Sequence, residues 1–371
     1  MKSTIKNIIK VIVYIIIILF LFKYLFCIYV PFSYVYLNKK SDSYSRYKKN
    51  TIDIIYLGPS GINNDISPIK IYENYGITGF DVSSGGTSIG LNYFQINSLK
   101  INKKQNIKFL FLDLGTYFTN IVDRKDKTET LHQNMDFYSF GKAKIDFVND
   151  SKYNFSNADK VSYLIPFFSY HDMWNKSPNQ YFNFKNLRRT KTCENGLCAG
   201  MTENCNVRKV AKQNYMQVTP DKEYDSYENS NYEDLLKIKN YCEKNNIKLV
   251  LIATPDPATW DKSKNETIKK LASDNNLEYL DFNTMYNETK IDMDTDFWDG
   301  SSHLNPNGQI KLSNYIGQYL KDNYNLEDHR GDPKYKQWDK DLEEYEKYEK
   351  EWINKYNKNL ENLQKQQEKS K

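Results

Sequence analysis

Four short apolar runs constrain the fold of this chain most strongly: Ile52 to Leu57, Ile107 to Leu114, Ile247 to Ile252 and Leu277 to Phe282. A strand that alternates apolar and polar residues has one wet face, whereas an almost continuous apolar run is buried on both. Segments with helical spacing lie between these runs, at about Pro68 to Tyr75, Ser88 to Lys100, Asn231 to Asn245, Glu266 to Ser273 and Asn307 to Leu320. A weaker strand signal, Thr78 to Val82, ends in Ser83-Ser84-Gly85-Gly86. Strands alternating with helices call for crossover connections, and these put helices over both faces of a parallel sheet. The predicted fold class is therefore α/β, a three-layer α/β/α sandwich.

Residues 116–225 break the alternation. A stretch of that length is too long for a plain connection and predicts an inserted subdomain or lid. It carries Cys193, Cys198 and Cys205, with a Cys193–Cys198 disulfide expected outside the cytoplasm. Three cysteines without a nearby histidine make an incomplete zinc site. From 326 to 371 the composition turns charged, and Trp338, Leu342, Tyr345, Tyr348, Trp352, Tyr356, Leu360 and Leu363 recur at three- and four-residue steps. This is one amphipathic helix. It either meets a partner membrane protein or the membrane surface, or packs back on the domain.

The first 36 residues set the location. Lys2, Lys6 and Lys10 precede Val11 to Val30, a twenty-residue run interrupted only by Lys23. At 1.5 Å per residue such a run spans a hydrocarbon core of ~30 Å. With lysines ahead of the span and no small-residue cleavage site, the expectation is an uncleaved single-pass anchor. Residues 1–36 form the cytoplasmic N-terminus and anchor, 37–50 a polar linker, and 51–325 a domain outside the cytoplasm. A formal charge of +5 spread over mixed lysines and acids gives no basic block, so nucleic acid is not an expected partner.

In open parallel sheets, sites form at the carboxyl ends of the strands. Ser60 follows the first run in Gly58-Pro59-Ser60-Gly61, and His303 lies in Asp296-Phe297-Trp298-Asp299-Gly300-Ser301-Ser302-His303, just before a helix start. A serine nucleophile needs an imidazole base held in one tautomer by a carboxylate. Asp299 is the expected acid and Asp296 the fallback. Backbone amides at Ser60, Ser83, Gly85 and Gly86 are candidates to receive an oxyanion. Singly, the first motif also reads as a turn and the second as a helix cap.

With Ser60 after the first strand and His303-Leu304-Asn305 before the last helix, residues 50–115 and 230–322 resemble the SGNH/GDSL hydrolase superfamily, in particular its membrane-anchored cell-envelope members. The resemblance implies a flavodoxin-like sandwich, with Ser60 as nucleophile, His303 as base and no cofactor. It implies an esterase or O-acyltransferase that handles acyl groups, acetyl above all, on cell-surface glycans through an acyl-serine. Two departures stand out. The family spaces its acid as Asp-x-x-His, yet position 300 is Gly300. Its third block carries Gly-x-Asn-Asp, yet Leu114-Gly115-Thr116-Tyr117 has no asparagine, which leaves the oxyanion to backbone amides. These departures also fit a different reading, a non-catalytic scaffold in an envelope polysaccharide assembly or export complex. The aromatics Phe167, Phe168, Tyr170, Trp174, Tyr181 and Phe182 either face a sugar or form the insertion's own core.

Overall fold

The computed structural model describes residues 2–29, 44–136, 138–170 and 204–369. Cys193 and Cys198, together with Trp174, Tyr181 and Phe182, lie outside the described residues.

Helix α1, Lys2–Tyr29, contains an apolar window, Thr4–Phe22, that is long enough to cross a membrane.

Five parallel strands follow: β1 Ile54–Leu57, β2 Gly79–Asp81, β3 Phe109–Asp113, β4 Lys248–Ala253 and β5 Glu278–Asp281. Their order across the sheet is β2-β1-β3-β4-β5, with Tyr56 beside Asp81 and Phe111, and Phe111 beside Val250. The three central strands are buried almost throughout, as their continuous apolar sequences require. The pleat sends alternate residues to two separate cores. Ile55, Leu57, Leu110, Leu112, Leu249 and Leu251 enter one, and Ile54, Tyr56, Phe109, Phe111, Val250 and Ile252 the other.

The helices that connect the strands are α2 Ser60–Asp65, α3 Pro68–Tyr75 and α4 Ile89–Leu99. Helices α5 Lys127–Met135, α6 Lys142–Val148, α7 Asn157–Leu164 and α8 Phe167–Tyr170 come from the insertion, which contributes helices and no strand among the described residues. They close over a third core with Leu91 and Phe94 of α4. The alternation resumes with α9 Ser230–Lys244, α10 Lys262–Asp274 and α11 Pro306–Asn323. Local signals fix the ends of these helices. Ser67 and Ser88 cap α3 and α4 with their side chains, Asn305 caps α11 by accepting from Asn307 and Gly308, and Pro306 occupies its first turn.

The C-terminal helix α12, Lys336–Lys369, packs back on the domain. Within its aromatic stripe, Trp338, Tyr345, Trp352 and Tyr356 are buried in the first core. The Trp338 indole donates to Thr51 O at 2.9 Å, and the hydroxyls of Tyr72 and Tyr47 donate to Asp339 and Asp341, each at 2.6 Å. Tyr44 and Tyr47 are buried in the same core, so the stretch expected as a linker ends by residue 44. Tyr47 packs on Trp338 of α12, whereas Tyr44 packs on Phe80 and donates to Ile101 O at 3.0 Å; their polar neighbours masked both in the sequence.

Candidate active site

Strand β1 runs into Gly58 and Pro59, and Ser60 opens α2 with no side-chain cap on its first amides. The turn is tight because Gly61 lies against β4's exit. A Cβ at Gly61 would come within 2.2 Å of Thr254 Oγ1 and 3.0 Å of Asp113 Oδ2. Without a side chain there, the Ser60 hydroxyl projects at the carboxyl edge of the sheet.

The histidine arrives on a clasped loop. Phe297 and Leu304 form an isolated antiparallel bridge, and Trp298 N donates to His303 O at 3.1 Å. Inside it, Asp299 Oδ1 accepts from the backbone amides of Ser301 at 2.8 Å, Ser302 at 3.0 Å and His303 at 3.3 Å. Gly300, at φ 72°, supplies the left-handed residue that lets the chain curl around the carboxylate. Any Cβ there would also sit 2.9 Å from Lys209 O. This curl absorbs the extra residue between acid and histidine.

The outcome is a continuous hydrogen-bonded chain. Ser60 Oγ lies 2.8 Å from His303 Nε2, and His303 Nδ1 lies 2.7 Å from Asp299 Oδ2. The Trp298 ring stacks on the imidazole at 5.5 Å and an interplanar angle of 18°. Burial raises the Asp299 carboxyl, but the bonds from His303 and the loop amides outweigh it and hold the group well below the usual carboxylate range. Asp299 is therefore ionised wherever His303 can act as a base.

Asp296, the fallback acid, does not touch His303. It is fully buried and accepts from Asn307 Nδ2 at 2.7 Å, Lys311 Nζ at 2.6 Å and Asp292 N at 2.7 Å. Its work is to brace the start of α11.

Of the oxyanion candidates, Ser83 is excluded, because its amide donates to Asp81 Oδ1 at 2.7 Å. The next amide, Ser84 N, donates to Gly58 O at 3.2 Å and ties the turn to the strand that leads into Ser60. The amides of Gly85 and Gly86 make no hydrogen bond among the described residues, and with Ser60 N they remain the available donors. Thr116 lies in the turn after β3. Its hydroxyl donates to Thr87 O at 2.6 Å, so it holds the Gly85–Gly86 turn rather than a substrate oxygen. Asn134 of α5 holds the same turn, accepting from Thr87 Oγ1 at 2.7 Å and donating to Gly85 O at 3.4 Å.

Several supporting residues carry no sequence signature. Asp65 Oδ1 accepts from Leu304 N at 2.8 Å and fixes the residue after His303. Burial pushes the Asp65 carboxyl well above its ordinary range, and the nearby carboxylates of Asp113, Asp299 and Asp256 add to this. Asp113, under the Ser60 turn, is raised to about 6 by burial, partly offset by bonds from Thr254 Oγ1 and Gly115 N. Ser302 Oγ donates to Asp256 Oδ1 at 2.6 Å and latches the histidine loop to the loop after β4. A helical pattern would have placed Asp65 near Ser60, but nothing in the sequence pairs it with Leu304.

No protein-family model matches this chain, and no curated protein matches it.

Proposed function

We propose that the chain is a membrane-anchored serine esterase or O-acyltransferase of SGNH type, with its five-stranded sheet read as the centre of a three-layer α/β/α sandwich. The observation that carries this reading is the Ser60–His303–Asp299 hydrogen-bonded chain. In the proposed reaction His303 Nε2 takes the Ser60 proton as Oγ attacks an ester carbonyl. The oxyanion forms beside the amides of Ser60, Gly85 and Gly86. His303 returns its proton to the leaving alcohol, and water or a sugar hydroxyl then accepts the acyl group from the serine by the same steps in reverse. Asp299 holds the imidazole with Nδ1 protonated and stabilises the cation that forms. A backbone donor aimed at such an oxyanion is worth about 2.7–4 kcal/mol.

An acyl-bearing glycan outside the cytoplasm is the substrate proposed, because α1 supports a tether and the resemblance supports an acyl ester. The direct experiment is labelling of the full-length protein with a fluorophosphonate probe. A covalent adduct on Ser60, absent in Ser60→Ala and His303→Ala, is the expected result. A folded protein that never reacts would favour the scaffold reading, to which the missing side-chain amide of the third block gives its support.

A further inference from the structure

Outside α1, the exposed large hydrophobic residues of the described chain are Phe140, Ile145, Val161, Ile165 and Phe168, and all belong to the insertion. Among the described residues the rest of the surface has none, so this clustering is not the scatter expected of single exposed residues. Val161 lies on α7, Ile165 is the residue at which that helix ends, and Phe168 follows on α8.

The end of α1 lies against this region. The Phe22 ring meets the Phe167 ring edge-on at 5.3 Å and 80°. Phe22 is also the last residue of the apolar window Thr4–Phe22, 19 residues long. At 1.5 Å per residue the window measures ~28 Å, close to a hydrocarbon core of ~30 Å. The Phe22–Phe167 contact therefore sets the patch directly against the apolar stretch of α1.

The patch is held rigidly. Ser169 Oγ is 3.2 Å from His132 Nε2, His132 Nδ1 is 3.0 Å from Asp136, and the Tyr170 hydroxyl donates to Asp136 at 2.7 Å. These bonds fasten α8 to α5. Charge does not select the surface that covers the patch: residues 140–168 carry four lysines and three aspartates, a net of +1, with Lys142 paired to Asp146. Apolar side chains with locally balanced charge suit the boundary between acyl chains and headgroups whatever the lipid.

We propose that the 140–168 face seats in the interfacial layer of the bilayer that α1 crosses, so that the domain docks on lipid beside its own anchor. This rests on the membrane-spanning reading of α1 and not on the acyl-transfer reading. The test is photolabelling of full-length protein in phosphatidylcholine vesicles containing a phosphatidylcholine with a diazirine near the glycerol end of its acyl chain. Adducts are expected on peptides from 140–168 and on α1, with the exposed positions of α10 as the unlabelled control. In Ile165→Asp/Phe168→Asp, whose altered side chains are already exposed, the 140–168 adducts should fall to the level of α10 while those on α1 persist. Adducts confined to α1 would overturn the docking and leave the anchor standing. Adducts on neither would overturn both. A face that resists the lipid probe in pure vesicles yet cross-links to a protein in native membranes is a protein interface, which also overturns the proposal.

Discussion

Ser60 Oγ and His303 Nε2 are 2.8 Å apart across 243 positions of sequence, and both sit on short turns braced by buried carboxyl groups. Asp113 lies beneath the first turn and Asp65 beneath the second. The contact is thus a product of the sheet's register and of two buried side chains, and each of these can be changed separately.

Asp299 and Asp296 should separate cleanly. Asp299→Asn removes the acceptor that fixes the imidazole tautomer, and a loss on the order of 10⁴ in kcat is expected by analogy with other Ser–His–Asp triads. Asp296→Asn should leave kcat close to that of the unaltered protein and lower the unfolding midpoint instead, because it breaks the Lys311 pair at a fully buried site. Steady-state ester hydrolysis and urea unfolding measured on both variants check the assignment.

Asp65 should act through position. Asp65→Asn keeps an acceptor for Leu304 N and should retain most activity. Asp65→Ala leaves that amide unmet, and a buried donor without a partner costs about 1–3 kcal/mol. A kcat that falls in the alanine variant and recovers in the asparagine one, with KM little changed, is the expected pattern. Equal activity in both variants would remove Asp65 from the site.

The pH dependence of stability carries the signature of Asp113. Its folded-state value of about 6 lies above that of an unfolded aspartate, about 3.9. Between those values the folded chain holds the proton and the unfolded chain does not, so stability falls as pH rises through this window and is greatest below it. Asp65, raised in the same direction, adds to the trend. Asp113→Asn should flatten the unfolding midpoint between about pH 4 and 6, measured by urea denaturation at each pH. A slope unchanged by the substitution would count against the raised Asp113.

Trp338 should be among the costliest residues to truncate. It is fully buried, bonded to Thr51 O, and packed against Tyr47 at 4.6 Å and Tyr72 at 5.7 Å. Trp338→Ala is expected to cost about 3–5 kcal/mol in the unfolding free energy.

What the sequence conveyed depends on the range of the signal. The apolar runs that became β1, β3 and β4 were legible because burial on both faces leaves no polar alternation, and the helix ends were legible from Ser67, Ser88 and Asn305. Ser60 and His303 stood out because a turn after a strand and a loop before a helix are local patterns. The choice between Asp299 and Asp296 was not legible, since it turns on the left-handed Gly300 and on three amides wrapping one carboxylate. Nor was the burial of Tyr47, which follows from a helix almost 300 residues later. Thr116 shows a third kind of limit: nothing near it in sequence says that its hydroxyl serves the turn at Thr87.

The embrace of Thr51 by Trp338 spans 287 residues and has a temporal meaning. A chain emerging from the ribosome exposes β1 early and α12 last. Until α12 is released, Tyr47, Tyr72 and the edge of the first core lack their cover, so the domain cannot reach its native closure before the residues beyond Lys336 are made. Premature termination anywhere before Lys336 would leave that apolar seam open, a ready mark for quality-control proteases.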